Sequence, residues 1–183
     1  MWFRAGLFTA LLLLSACMPR RTDTQHPAVC EGDSTQALKP VSDAELVAAA
    51  QASTQVVRAR LSFTGTLESN GARYRYAIAD VVEVLQGSLA SAGPKLAEEL
   101  PLWAPVNAAS PLEQLMCREG DTFVFLLSVP DESAPPDGGV PEPVAQVYGQ
   151  HAVALHAVLG EHELGRLDSV LKTAPPRATS PSP

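Results

Sequence analysis

Apolar and polar residues alternate most regularly over residues 57–68, a period of two that predicts a half-buried strand. The apolar positions are Val57, Ala59, Leu61, Phe63 and Leu67, and the polar positions are Arg58, Arg60, Ser62, Thr64, Thr66 and Glu68. Asn70-Gly71 follows, the dipeptide that a type I′ turn favours because both of its central residues need a positive φ. The pattern predicts a long β-hairpin that turns at Asn70 and Gly71.

A two-residue turn also fixes the register of this hairpin. On the apolar face the opposite pairs are Leu67–Tyr74, Gly65–Tyr76, Phe63–Ile78 and Val57–Val84, and on the polar face Glu68 meets Arg73 and Arg58 meets Glu83. Only Asp80 is out of place, because it falls on the apolar face opposite Leu61. We interpret Asp80 as the mark of a bulge or bend, and the alternative is a buried functional carboxylate.

Other patterns predict shorter elements. Ser42 and Glu45 form a capping box before a helix over residues 43–52, and Leu164, Leu167 and Leu171 recur at helical spacing in a helix that ends at Lys172. Strands are predicted in LPLWAPV, with Trp103 as a core residue, in residues 123–129, which are apolar on both faces, and in residues 144–158. Residues 130–143 are rich in proline and predict a surface loop. These elements predict a mainly β domain with flanking helices, of the α+β class.

Four arginines on one face of the hairpin, with two tyrosines between them, have the composition of a nucleic-acid surface. They are Arg58, Arg60, Arg73 and Arg75, with Tyr74 and Tyr76. The predicted register points the tyrosines inward and gives two of the arginines carboxylate partners. The chain also carries a formal net charge of −7. We therefore expect no nucleic-acid partner.

The N-terminus has the layout of a secretory signal: one positive charge, a short apolar run and small residues at the end. The apolar run is shorter than the roughly 20 residues that span a bilayer. Leu14-Ser15-Ala16-Cys17 resembles the bacterial lipobox, which predicts a signal peptide over residues 1–16 and diacylglycerol and palmitate on Cys17. Met18 stands where an aspartate would retain a lipoprotein in the inner membrane, so we expect anchoring in the outer membrane. The alternative is an ordinary secretory signal.

The rest of the chain divides into a flexible tether over residues 17–29, one domain over residues 30–172 and a disordered proline- and serine-rich tail over residues 173–183. The chain has 3 cysteines, so two remain if Cys17 is lipidated. In an oxidising compartment a disulfide between Cys30 and Cys117 is the default expectation. Two unpaired thiols or a metal site are the alternatives.

Residues with catalytic potential are few. The chain has no Gly-x-Ser-x-Gly, no HExxH and no phosphate-binding glycine loop. His151 and His156 would lie on opposite faces of a strand, and His162 between Glu161 and Glu163 is typical of a solvated helix start. Glu98-Glu99 is interpreted as a surface pair. We expect no catalytic site, no bound metal and no cofactor.

Two patterns together resemble the netrin-like or tissue-inhibitor-of-metalloproteinase family. Val81, Val84 and Gly87 match a valine-rich strand end, with Gln86 where lysine is usual. A cysteine then precedes a second strand, a pattern matched by Cys117, Gly120, Phe123, Phe125 and Leu126. The resemblance covers about residues 30–129. It implies an OB-like antiparallel barrel of five or six strands with a short N-terminal and a C-terminal helix. It also implies that a Cys30–Cys117 disulfide clamps the N-terminal segment to this barrel.

The inhibitory mechanism of that family does not carry over to this chain. Family members bind the protease zinc through a free N-terminal cysteine, whereas Cys30 lies inside the chain. The N-terminal Cys-x-Cys of the family is also absent, because Glu31 and Gly32 follow Cys30. We expect a non-catalytic binding or structural module of the bacterial cell envelope, held on the membrane through Cys17 and with an envelope protein as its partner. The alternatives are a protease-inhibitor-like module that works through exposed loops, and a small hydrolase.

Overall fold

The computed structural model describes residues 24–28, 38–89, 94–106, 109–129, 139–149 and 152–173. The elements in chain order are β1 (Thr24–Pro27), α1 (Asp43–Ala52), β2 (Gln55–Ser69), β3 (Ala72–Gln86), β4 (Glu99–Pro105), β5 (Thr122–Ser128), α2 (Glu142–Tyr148), β6 (Ala154–Gly160) and α3 (Leu164–Thr173). Short 3-10 helices lie at Pro111–Leu115 and Glu161–Glu163. The predicted mainly β architecture with flanking helices is confirmed.

The long hairpin of β2 and β3 is also confirmed. Asn70 and Gly71 form its turn, with φ angles of 52° and 78°. The predicted register holds at both ends, where Leu67 lies opposite Tyr74 and Val57 opposite Val84. The two predicted cross-strand ion pairs are present, Arg58–Glu83 and Arg73–Glu68, each at 3.2 Å.

The register prediction is wrong at Asp80. This residue lies opposite Arg60 rather than Leu61, and it is exposed. A bulge in the hairpin moves Asp80 from the apolar to the polar face, as a one-residue shift does in any strand. The interpretation of a bulge is therefore confirmed, and the alternative of a buried functional carboxylate is wrong.

Two bulges that cancel each other explain why the predicted register fails at Asp80 but holds again at Val57–Val84. Ser62 is an extra residue of β2 between Leu61 and Phe63, and its hydroxyl donates a hydrogen bond to the carbonyl of Ile78 at 3.2 Å. Val82 is an extra residue of β3 on the other side of Asp80. These two bulges shift the pairing by one residue in opposite directions, so Val57 lies opposite Val84 as predicted. A third bulge, at Leu85, shifts only the last pair, Val56–Gln86.

The strands form one antiparallel sheet in the order β4-β3-β2-β5-β6, with β1 paired to β2 beside β5. Within the described residues β4 and β6 do not pair with each other, so the sheet is open and the expected closed barrel is not formed. Pro101 and Pro105 in β4 have no N–H to donate, which is typical of an edge strand. The sheet nevertheless curls: Leu102 of β4 and Val158 of β6 belong to one apolar cluster, and the 3-10 helix at Pro111–Leu115 contacts both strands.

The core lies on both faces of β5, as its apolar sequence predicted. Phe123, Phe125 and Leu127 face the cluster inside the curled sheet. Val124 and Leu126 face the other side, where α1 and α3 cover them. α1 has the predicted bounds, and Ser42 and Glu45 cap it reciprocally. The residues Glu161–Glu163 form a 3-10 turn rather than the predicted helix start, and α3 begins at Leu164. Thr173, assigned to the tail, is the last residue of α3.

Residues 142–148 are a helix, whereas the sequence placed them partly in a loop and partly in a strand. Pro143 stands in the first turn of α2, where a missing N–H costs nothing, and Gly149 ends the helix with a φ of 90°. Val144 and Tyr148 are four residues apart and pack against the hairpin. The predicted strand begins only at Ala154. Residues 130–138 of the predicted loop lie outside the described residues.

Candidate binding surface

The segment Cys117–Asp121 fills a gap along one side of β2. β5 pairs with the first part of β2, up to Arg60, and β1 pairs with the last part, from Gly65. Between them, the N–H of Leu61 donates to Asp121 at 2.9 Å, and the carbonyl of Leu61 accepts from Gly120 at 2.8 Å. The main chain of β2 is therefore paired along this side by three successive segments. The tether prediction is wrong for residues 24–27, which form β1.

Cys117, one of the two predicted disulfide cysteines, lies at the start of this segment with a φ of 64°. Of the three cysteines, the structure describes only Cys117. Cys30 and the lipidation candidate Cys17 both lie outside the described residues. The pairing of Cys117 with Cys30 and the lipidation of Cys17 therefore stay predictions.

A serine and a histidine meet on neighbouring strands, which raises the alternative of a hydrolase. The Oγ of Ser128 lies 3.0 Å from Nε2 of His156. The same Oγ donates its proton to the carbonyl of Ala52 at the end of α1, also at 3.0 Å. A hydroxyl has one proton to donate, so His156 acts as the donor to Ser128, the reverse of the role of a general base. This contact holds α1 on the sheet and does not activate a nucleophile.

A cleft of about 500 Å³ lies between the Cys117–Asp121 segment and the turn before α3. Its charged groups are largely paired within the protein. Arg118 pairs with Asp121 at 2.9 Å and lies over the ring of Phe123, and Glu163 pairs with Arg166 at 2.9 Å. His162 is exposed at the rim. No group of three or more His, Cys, Asp or Glu side chains suited to a metal ion occurs in the described part of the chain.

Tyr76, Tyr148 and Glu99 form a polar cluster that holds α2 on the sheet. The hydroxyl of Tyr148 donates to Glu99 at 2.6 Å, and Tyr148 also hydrogen-bonds Tyr76. Burial raises the pKa of Tyr76 to about 12, and burial together with the hydrogen bond to Glu99 raises the pKa of Tyr148. The hydrogen bond from Tyr148 lowers the pKa of Glu99. The surroundings shift the pKa of each of the three groups away from neutral pH, so the cluster is suited to structure rather than to acid–base chemistry.

The last part of β3 is the most exposed apolar stretch that the structure describes. β4 pairs with β3 only as far as Asp80, and one further hydrogen bond joins the N–H of Val81 to the carbonyl of Glu98 at 2.7 Å. From Val82 to Gln86, no main-chain group bonds a strand on this outer side within the described residues. We call residues 82–86 the free edge.

The side chains of the free edge are unusually apolar for an exposed strand. Val82 is 53% exposed, and Val84 and Leu85 are each 39% exposed. Elsewhere in the described residues, the only other large apolar side chain as exposed is Val147 of α2, at 55%. Proteins protect sheet edges from other chains with charges, prolines, bulges or cover. The free edge has one charge, Glu83, which pairs with Arg58, and bulges at Val82 and Leu85, but its three exposed apolar side chains can still contact a partner strand.

The outer edges of β4 and β6 are less suited to a partner strand. β4 carries Pro101 and Pro105, which cannot donate main-chain hydrogen bonds. In β6 the last four residues, Ala157–Gly160, are buried. Among these three edges, within the described residues, the free edge alone combines main-chain groups without a strand partner and exposed apolar side chains.

Two carboxylates lie beside the free edge, next to the first residue of β4. Asp80 is the residue of β3 just before it, and Glu98 is the residue whose carbonyl makes the last main-chain bond. Both are exposed, and neither carboxylate has an ion-pair or hydrogen-bond partner within the described residues. In contrast, Glu83 is paired with Arg58, and Glu99 is paired with Lys95 at 3.1 Å.

The arginines of the hairpin are engaged with other groups. Arg58 and Arg73 bond carboxylates of the hairpin, Arg75 pairs with Glu113 at 2.9 Å, and the Nε of Arg60 donates to the carbonyl of Gly120 at 3.1 Å. Tyr76 is buried, and Tyr74 is half-buried. Three of the four arginines are therefore in ion pairs, and Arg60 is held by a main-chain carbonyl.

No protein family model, curated protein or solved structure matches this chain. No helix in the described ranges is both long and apolar enough to cross a bilayer. The sequence reasoning missed the free edge because it assigned Val84 to the inward face by parity alone. A signal was present, since four of the five residues from Val81 to Leu85 are apolar and they fall on both faces of the strand.

Proposed function

We propose that this protein is a lipid-anchored, non-catalytic binding module of the bacterial cell envelope, which binds a partner protein by adding an extended segment of that partner to its sheet. The observation that carries the proposal is the free edge, residues 82–86, with three exposed apolar side chains and no strand on its outer side within the described residues. Strand addition of this kind derives affinity from main-chain hydrogen bonds and specificity from alternate side chains.

The position of β1 supports a short connection to the membrane. Residues 18–23 separate the lipidation candidate Cys17 from Thr24, the first residue of β1. Seven extended steps reach at most roughly 25 Å. Thr24 lies opposite Glu68, near the hairpin turn, whereas the free edge is at the other end of the hairpin. An anchor at Cys17 would therefore hold the turn toward the membrane and leave the free edge farther away from it.

The resemblance to the netrin-like type supports the same proposal. OB folds are partly open five-stranded barrels that host many different ligands. The curled sheet, with both of its outer strands bordering one apolar cluster, is compatible with such an arrangement. The clamp between Cys30 and Cys117 would fix the chain between β1 and α1 to the segment that pairs with β2.

The anchor is tested by metabolic labelling with palmitate. We expect the protein to take up the label and the variant Cys17→Ser to take up none. Cys30→Ser is the matched control, because it removes a cysteine outside the lipobox, and it should still be labelled. Label on the Cys17→Ser variant would contradict the anchor.

The binding surface is tested by capture from solubilised envelope extracts. Val82→Lys places a charge on the free edge, and Val147→Lys places the same charge at an equally exposed valine of α2. We expect the protein and its Val147→Lys variant to capture the same partner and Val82→Lys to lose it. Equal capture by both variants would contradict the proposal, and a protease as the captured partner would favour the inhibitor-like alternative.

A further inference from the structure

We infer that the segment bound at the free edge is cationic: an extended strand with apolar side chains at alternate positions, which carries lysine or arginine at the end that lies beside β4. This inference rests on the proposed function and specifies the chemistry of its partner. It follows from the placement of Asp80 and Glu98 relative to the main chain of β3.

The start of β4, at Glu98 and Glu99, fixes where the added strand stops. The bond from the N–H of Val81 to the carbonyl of Glu98, at 2.7 Å, occupies the last main-chain position that β4 uses. A new strand can therefore begin to pair at Val82 and continue to Gln86. β2 and β4 both run antiparallel to β3. An added strand in the same direction as β4 would run from Gln86 toward Val82, and its C-terminal end would lie next to Glu98.

The charge at that end is negative and unpaired. Asp80 and Glu98 flank the position where the C-terminal end of the added strand would lie, and their carboxylates have no cationic partner within the described residues. Lys95 and Arg58 pair with Glu99 and Glu83. Arg60, directly opposite Asp80 on β2, donates from its Nε to the carbonyl of Gly120 and forms no ion pair with Asp80. A lysine or arginine on the added strand would supply the missing positive charge.

The apolar side chains set the remaining requirement. Val82, Val84 and Leu85 are exposed on the strand itself, and covering them would remove apolar surface from water. Side chains alternate between the two faces of an added strand, so apolar residues at alternate positions can cover one face. A segment with this alternation and a cationic end matches both features of the edge.

A second copy of this chain is a poorer occupant of the same edge. The chain has a formal net charge of −7, and pairing two copies would bring acidic surfaces together. The charge at the edge therefore favours a different, basic partner.

The test uses the purified full-length protein and labelled synthetic peptides with both termini blocked. One peptide alternates threonine and valine over six residues and ends in two lysines, and its matched control ends in two glutamates. A third peptide carries the lysines but has N-methyl groups on alternate residues, which remove main-chain donors. Fluorescence anisotropy measures the binding of each peptide to the protein and to three variants: Val82→Lys, Val147→Lys and the double variant Asp80→Asn with Glu98→Gln.

We expect the lysine peptide to bind and the glutamate peptide to bind on the order of tenfold more weakly, because two exposed attractive contacts are replaced by repulsive ones. Val82→Lys and N-methylation should abolish binding, and Val147→Lys should not change it. In the double variant the preference for lysine should disappear.

The outcomes separate the inference from the proposed function. If both peptides bind equally well and Val82→Lys abolishes both, the cationic partner is refuted and the binding edge stands. If no peptide binds, or if Val82→Lys and N-methylation leave binding unchanged, strand addition at this edge is refuted and the proposed function fails with it. A glutamate preference would refute the charge assignment alone. If the lysine preference persists in the double variant, Asp80 and Glu98 do not determine it and the inference fails.

Discussion

The hydroxyl Oγ1 of Thr64 accepts a hydrogen bond from the main-chain N–H of Cys117 at 3.0 Å. The side chain of Thr64 is buried at the middle of β2, and the same hydroxyl donates to the carboxylate of Glu119. The N–H of Thr64 also donates to Glu119, at 3.0 Å. One residue of the central strand therefore holds the segment that contains Cys117, the predicted partner of Cys30.

Thr64→Val should destabilise the domain, because it leaves the N–H of Cys117 and one carboxylate contact without a partner. We expect a loss of about 1–3 kcal/mol in the free energy of unfolding, measured by chemical denaturation. Thr66→Val is the matched control, since Thr66 is also buried in β2 but makes no side-chain hydrogen bond within the described residues. Equal losses in the two variants would contradict the role assigned to Thr64.

Gly71→Ala should destabilise the hairpin through the main chain alone. The φ of Gly71 is 78°, and a methyl group there would meet no atom within 4 Å. The left-handed conformation costs an L-residue about 1–2 kcal/mol, which for a domain of this size lowers the melting temperature by a few degrees.

Gly165→Ala is the control for this substitution. Gly165 also has open space around it but lies in α3. The same methyl group should therefore stabilise the protein by up to about 1 kcal/mol, because alanine is the better helix former. Shifts of the same sign in the two variants would mean that the turn is misplaced.

The sequence was sufficient wherever a local rule determines the structure. The capping box at Ser42 and the dipeptide Asn70-Gly71 act over a few residues, and both elements have the predicted bounds. The register of β2 and β3 could be predicted at its ends but not at Asp80, because the bulges at Ser62 and Val82 cancel and leave no trace in the total length of the strands.

The predictions that were wrong, and the free edge that was missed, concern features that depend on contacts between distant parts of the chain. α2 was read as strand because its apolar residues are few and its proline-rich start is typical of loops, and its helical form depends on Val144 and Tyr148 packing on the hairpin. Closure of the sheet depends on β4 and β6, which are far apart in sequence. The free edge depends on where β4 stops pairing, which no local pattern encodes.

Alkaline pH should destabilise the protein through Tyr76. Burial raises the pKa of Tyr76 from 10.0 to about 12, so its contribution to stability is complete below pH 10 and is lost as the pH rises through about 12. The free energy of unfolding should therefore fall with pH across that window. Tyr76→Phe should lessen this fall, measured by denaturation at several alkaline pH values. An unchanged slope in the variant would contradict the burial of an ionisable hydroxyl at this position.

The partner of Cys117 is identified by alkylation and intact-mass measurement on the Cys17→Ser variant. If Cys30 and Cys117 are bonded, this form should take up no label before reduction and two labels after it. Loss of the bond in a small secreted domain typically costs about 2–5 kcal/mol of stability. Two labels without reduction would refute the clamp and remove the main link to the netrin-like family.

The central claim is that the free edge contacts a partner protein in the envelope. Photo-crosslinking in intact cells tests this directly, with a photoreactive amino acid placed at Val82 or, as the control, at Val147, which is equally exposed. The account predicts a discrete crosslinked species from position 82 that is absent from position 147, and that disappears when Val84→Lys is added. No crosslink from position 82, or the same crosslinked species from both positions, would contradict it.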